Sequence, residues 1–181
     1  MCCCFSDIFS LFCVFAYYSI SWSKRPTNVN ALILGTIGGL IILVRPSNLL
    51  IWVLPLMINV DCWKSFCIRC RWFLDNYFST MLVIISLCLI VLPQLLYWKA
   101  FTGEWIHYGY GKEGFYFNNP HIIDGLFSYR KGWLLYTPIM LFSLIGLFQL
   151  KKYCKGIFEP IIIYIPLNIY LVFSCCFTNI C

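Results

Sequence analysis

Arg45 is the residue of this chain best placed to do chemistry. It opens the polar stretch Arg45-Pro46-Ser47-Asn48, which interrupts an apolar region spanning residues 31–60. A guanidinium at a helix break within a membrane is costly, and it usually faces a cavity or an anionic partner. It stays protonated, and its fork matches a phosphate or diphosphate through paired hydrogen bonds. The competing reading is an arginine whose aliphatic stem carries the charge out to the headgroups. Under either reading Pro46 breaks the helix, and Asn48 is suited to N-cap the next one.

A second candidate region runs from Trp98 to Trp133 and is crowded with rings, among them Tyr108, Tyr110, Phe115, Phe117 and Tyr129. One reading is an aromatic belt at headgroup depth. The other is a binding surface on which rings stack against a flat ligand face, while Asn118, Asn119, His121 and Arg130 supply hydrogen bonds. Gly103, Gly109, Gly111, Gly114 and Pro120 suit the tight turns of such a loop. Arg130 and Lys131, ahead of Gly132-Trp133, are either an interfacial anchor or a second anion contact facing Arg45. Glu104, Glu113 and Asp124 are single carboxylates on a polar loop, for which solvation is the default. Asp7 lies inside an apolar run and demands a buried partner, or else a segment that does not cross the membrane.

Other chemistries find no support. No Ser-His-Asp set, phosphate-cradling glycine loop or metal-ligand cluster can be read, so neither a metal nor a cofactor is expected. The twelve cysteines do not form a disulfide framework, because most lie in apolar runs where a thiol behaves as a small hydrophobe. Cys67 and Cys70 have a zinc-like spacing within one polar loop, but no second pair accompanies them.

The elements that position these residues follow from composition. Apolar residues make up 61% of the chain and charged residues 11%, with mean hydropathy +0.82. Soluble domains carry roughly a quarter charged residues, so lipid is the solvent this sequence suits. The net charge of +6 is dispersed between apolar runs, which favours topology signals over a nucleic-acid face. The fold class expected is an all-α, polytopic transmembrane bundle forming one membrane domain over residues 1–181. Its membrane segments are 2–22, 31–44, 49–60, 78–97, 133–150 and 159–178, with 98–132 an external aromatic loop.

The pair 31–44 and 49–60 is the least obvious part of that assignment. One straight helix over 31–60 would be about 45 Å long, against a hydrocarbon core of about 30 Å. A hairpin bent at Arg45–Asn48 avoids this. It also groups eight basic residues on one side: Lys24, Arg25, Lys64, Arg69, Arg71, Lys151, Lys152 and Lys155. Five fall on the other: Arg45, Lys99, Lys112, Arg130 and Lys131. A single crossing would divide the bases evenly and strand Arg45 in the membrane, so the positive-inside rule favours the hairpin. Gly35 and Gly39, with Gly38 beside them, have the small-residue spacing that lets another helix approach closely. That pattern is packing, not chemistry.

Two stretches carry a family resemblance. Gly35 to Asn48 reads G-x-x-x-G-L-x-x-L-x-R-P-x-N, and the external segment contains Tyr108-Gly109-Tyr110-Gly111, Glu113-Gly114-Phe115, Asn119-Pro120-His121 and Phe127 to Trp133, then Tyr136-Thr137-Pro138. Together they resemble bacterial membrane glycosyltransferases of the C-type superfamily, in the protein mannosyltransferase and aminoarabinose-transferase branch, over roughly residues 25–172. The resemblance implies a multi-pass enzyme of the bacterial inner membrane. Its donor would be a sugar on a polyprenyl-phosphate lipid, used at the external face. The substrate-binding residues it implies are Arg45, Asn48, Tyr108, Tyr110, Glu113, Asn119, His121, Tyr129, Arg130 and Lys131. No catalytic residue can be assigned. The family's catalytic Asp lies in an external loop upstream of the R-P motif, and nothing before residue 25 matches that loop. The expectation is therefore an internal fragment of a longer enzyme, inactive alone, and the apolar runs at both ends agree with it. Two other classes compete. A non-enzymatic membrane subunit would bind a glycolipid or a partner protein through the aromatic loop. A transporter fragment would use the broken helix as its site, but the inverted repeat it requires is not found.

Overall fold

The computed structural model describes residues 3–60, 62–105, 145–147, 149–152 and 155–175. Among these the chain is all-α, with seven helical segments and no strand. It divides into two units, Met1–Tyr108 and Gly109–Cys181.

In the first unit α1 (Cys3–Lys24) and α2 (Asn28–Val44) are joined by a three-residue turn. Thr27 N-caps α2 by accepting the Asn30 N–H on its hydroxyl at 3.4 Å. The helix stops at Val44 because Arg45 precedes proline and is pushed into extended backbone, with φ −150° and ψ 122°. From there the chain turns back. The Asn48 Nδ2 donates to the Ile41 carbonyl at 3.3 Å. Farther along, Trp52 lies against Gly38 and meets Phe15 of α1 edge-on at 5.3 Å between ring centres. Residue 48 beside 41 and residue 52 beside 38 make an antiparallel return limb.

That limb differs from the second helix expected over 49–60. It is a 3₁₀ helix from Pro46 to Trp52, followed by the short α3 (Val53–Met57). Pro55 lies within α3 and leaves the Ile51 carbonyl without its α-helical N–H partner. Asn59 then takes a left-handed conformation, φ 61°, just beyond the helix.

Residues 61–76, expected as a polar loop, contain the helix α4 (Trp63–Asp75). Phe66, Arg69, Trp72 and Phe73 recur at helical spacing and form its inner face, a periodicity masked by the local density of charge. Asn76 separates α4 from α5 (Tyr77–Thr102).

α5 packs on α2 through the glycines. A β-carbon on Gly35 would overlap the Ser86 hydroxyl and the Val83 carbonyl, and one on Gly39 would come within 2.9 Å of Ile90. The pairs 35 with 86 and 39 with 90 advance together, so α2 and α5 run parallel. At their starting end the Trp22 indole donates to the Ser79 hydroxyl at 2.7 Å, tying the last turn of α1 to the first of α5. The α1–α2 turn, α4 and the start of α5 therefore share one end of this unit, with Lys24, Arg25, Lys64, Arg69 and Arg71. Arg45 and Lys99 lie towards the opposite end.

α5 is the one helix among the described residues that passes as a membrane span by length and hydropathy. Only 17% of its apolar window is buried, and Phe78, Met81, Ile85, Leu89, Leu92 and Leu96 face outward. Shorter apolar helices cover Asn28–Val44, Pro46–Met57 and Gly156–Leu171. In the second unit α6 (Lys155–Cys175) starts before residue 159, where a membrane segment was expected. The expected segment 133–150 is described only from residue 145, where the chain is helical except at the undescribed residue 148.

Candidate functional site

The turn at Arg45 is built from backbone groups left over at a helix end. The Arg45 N–H reaches the Ile41 carbonyl at 3.4 Å, and the Arg45 carbonyl accepts the Asn48 N–H at 2.9 Å. Asn48, expected as an N-cap, uses its side-chain amide instead to satisfy the Ile41 carbonyl. It serves the C-terminal end of α2 because the return limb folds directly back over that end. The Arg45 side chain is exposed, at a helix C-terminus whose partial negative charge suits a cation.

Residues Tyr108, Tyr110, Glu113, Asn119, His121, Tyr129, Arg130 and Lys131 lie outside the described residues, as do Asn118, Asp124 and the side chain of Asp7. What precedes them is described. α5 ends at Gly103, which takes a left-handed φ of 76°. There the Lys99 ammonium donates to the Gly103 carbonyl at 2.8 Å and lies 5.4 Å from the centre of the Trp105 ring. Because α2 and α5 are parallel, the aromatic segment leaves α5 at the end that carries Arg45. Glu104 is exposed.

The most elaborate polar arrangement of the first unit is elsewhere, at Arg69 of α4. Its side chain is 7% exposed. One terminal nitrogen donates to the Ser23 hydroxyl at 2.9 Å and the other to the Pro55 carbonyl at 2.8 Å. The guanidinium lies 4.4 Å from the centre of the Trp72 ring and 5.0 Å from that of Phe73. Pro55 is a natural partner, since its neighbours in the short α3 leave a carbonyl free at the helix end. Burial lowers the pKa of Arg69, yet the two charge-assisted bonds and the flanking rings favour the cation. Its Nε is buried without a partner. The arrangement can hold α1, α3 and α4 together; it presents no group to a substrate. In the sequence Arg69 stands out as a topology charge, and its spacing with Phe66, Trp72 and Phe73 is the signal that marks it as inward-facing.

Cys67 and Cys70 are exposed on α4, and no three His, Cys, Asp or Glu side chains among the described residues are placed to hold a metal ion. Comparison of the chain with protein-family models, curated proteins and solved structures finds no match.

Proposed function

We propose that this chain is part of a multi-pass glycosyltransferase of a bacterial inner membrane, with a polyprenyl-phosphate-linked sugar as donor and Arg45 at the lipid phosphate. The observation that carries the reading is the shared end. Arg45 and the last turn of α5, with the exposed rings of Phe101 and Trp105, lie towards the same end of the first unit, so a phosphate contact and aromatic rings are available there together. The guanidinium would take the phosphate through paired, charge-assisted bonds. Asn48 acts at one remove, by fixing the turn. Tyr108, Tyr110, Glu113, Asn119, His121 and Tyr129 belong to the sugar side of the same proposal, and Arg130 and Lys131 to its anion contacts, on the strength of the resemblance.

The membrane setting rests on α5. A core helix of a soluble protein with this composition would be buried, whereas most of its apolar window is not. Six membrane segments, 2–22, 31–44, 49–60, 78–97, 133–150 and 159–178, complete that setting. The family's catalytic carboxylate has no counterpart here, so binding without transfer is what residues 1–181 should display.

The test is capture of polyprenyl phosphate by the purified chain, read by native mass spectrometry. Arg45→Lys keeps the charge but loses the fork and should weaken capture. Arg45→Leu should abolish it while inserting at least as well as the parent. Equal capture by all three would remove Arg45 from the site.

A further inference from the structure

α4 carries a surface that the transferase reading does not use. Its inner face is taken up by Phe66, Arg69, Trp72 and Phe73. On the outside, Trp63, Cys67, Cys70 and Leu74 recur at spacings of four, three and four residues, so they form one stripe along the helix. All four are exposed, Trp63 at 78% and Leu74 at 74%. Lys64 and Arg71, seven residues apart and so nearly in line, run along one edge of this stripe and are exposed as well. Lys24 and Arg25 follow directly on Ser23, which Arg69 binds, and are also exposed. Asp75 is the one acidic side chain described on α4.

Two observations say what covers this stripe. Directly after it, across Asn76, the outward apolar face of α5 begins at Tyr77 and Phe78, both exposed. And cations border it, as anionic headgroups border the acyl chains of a bilayer. A helix with an apolar stripe edged by Lys and Arg lies in the interface plane, its apolar side at the acyl boundary.

We propose that α4 is an in-plane helix that binds anionic phospholipid on the bilayer face holding the α1–α2 turn. Lys64 and Arg71 take the lipid phosphates, Lys24 and Arg25 extend the basic rim, and Trp63 and Leu74 enter the acyl boundary. The inference rests on the membrane setting proposed above for α5, and not on sugar transfer or on Arg45.

The full chain, purified in a neutral detergent, is titrated with phosphatidylglycerol and with phosphatidylcholine, and retained lipid is counted by native mass spectrometry. Each basic residue near an anionic surface gives roughly fivefold, so Lys64 and Arg71 together should give about a 25-fold preference for phosphatidylglycerol. That preference should shrink at high salt and drop by about 25-fold in the double variant Lys64→Gln/Arg71→Gln, leaving only what Lys24 and Arg25 supply. Millimolar inorganic phosphate should not displace the lipid, because the acyl chain shares in the binding. Equal retention of the two lipids by the parent, an undiminished preference in the double variant, or displacement by inorganic phosphate would each overturn the proposal. Insertion into vesicles of phosphatidylcholine alone is read in parallel. A chain that inserts without an anionic preference overturns only the α4 site, and one that fails to insert overturns the membrane setting too.

Discussion

Gly35 of α2 sits so close to Ser86 of α5 that the pair has room for a hydroxyl but none for a β-carbon. Four residues later Gly39 meets Ile90 in the same register. Two helices in parallel contact, separated in sequence by a turn at Arg45, require the chain between them to come back to its starting end. The return limb and α4 are that path, and the glycines are what let the two parallel helices pack at contact distance.

Substitution at Gly35 should therefore be severe. Gly35→Ala places a methyl group against the Ser86 hydroxyl and the Val83 backbone, and overpacking of this kind costs about 1–3 kcal/mol. Gly35→Leu should exceed that and part α2 from α5. Thermal unfolding in detergent reads the difference. Ser86→Gly should rescue Gly35→Ala only in part, because the Val83 carbonyl remains in the way. Full tolerance of leucine at this position would mean that the two helices do not pack as described.

Arg69 makes a second prediction. Arg69→Met removes hydrogen bonds to the Ser23 hydroxyl and the Pro55 carbonyl. Bonds to a charged group are worth about 1.5–3 kcal/mol each, and the cation–π contacts with Trp72 and Phe73 about 0.5–2 kcal/mol. Methionine also spares the cost of burying a charge, which offsets part of the loss. The net effect expected is about 2 kcal/mol of destabilisation, and more for Arg69→Ala, which adds a cavity. Arg69→Lys cannot span both acceptors and should fall between the parent and Arg69→Met. Protease sensitivity around residues 58–62 should rise with the loss of the Pro55 bond.

The parts of this fold that the sequence makes legible are those set by a single residue's covalent chemistry. Pro46 ends α2 because its ring pushes Arg45 out of helical backbone, and the glycine spacing marks close approach because only glycine allows it. The return limb is harder to read, since the contacts that hold it, Asn48 with the Ile41 carbonyl and Arg69 with the Pro55 carbonyl, exist only once the chain has folded back. α4 is hidden for a different reason. In Trp63 to Asp75 the charges Lys64, Arg69, Arg71 and Asp75 suggest a solvated loop. Nothing short of the helical period shows that Arg69 points inward while the others point outward. The candidate site divides in the same way: Arg45 is visible as a charge at a break, whereas Asn48 takes its role from a contact seven residues back in α2.

Activity supplies a third prediction. Residues 1–181, purified and given a polyprenyl-phosphate sugar, should release no transferred sugar to acceptor, because the carboxylate that the family resemblance requires has no match before Arg45. Measured transfer would show that the chain carries its own base. Glu104, Glu113 and Asp124 would then be the carboxylates to substitute first.

The last prediction concerns orientation. The parallel packing of α2 and α5 puts Lys24, Arg25, Lys64 and Arg71 at one end and Arg45 and Lys99 towards the other. Basic residues concentrate on the cytoplasmic side of a bilayer, so the end with α4 should face the cytoplasm and the Arg45 end the exterior. Twelve native thiols obscure any probe, so the experiment needs a background from which the other cysteines have been removed. With Cys62 alone retained, its exposed position at the start of α4 should react in intact cells only with reagents that cross the membrane. A Lys112→Cys substitution in a chain lacking the native cysteines should instead react with impermeant reagents. The reverse pattern would invert the chain in the bilayer while leaving its helix packing intact. Reaction of both positions from the same side would be graver. It would mean that α5 does not separate them, and the membrane setting of Arg45 would fall with it.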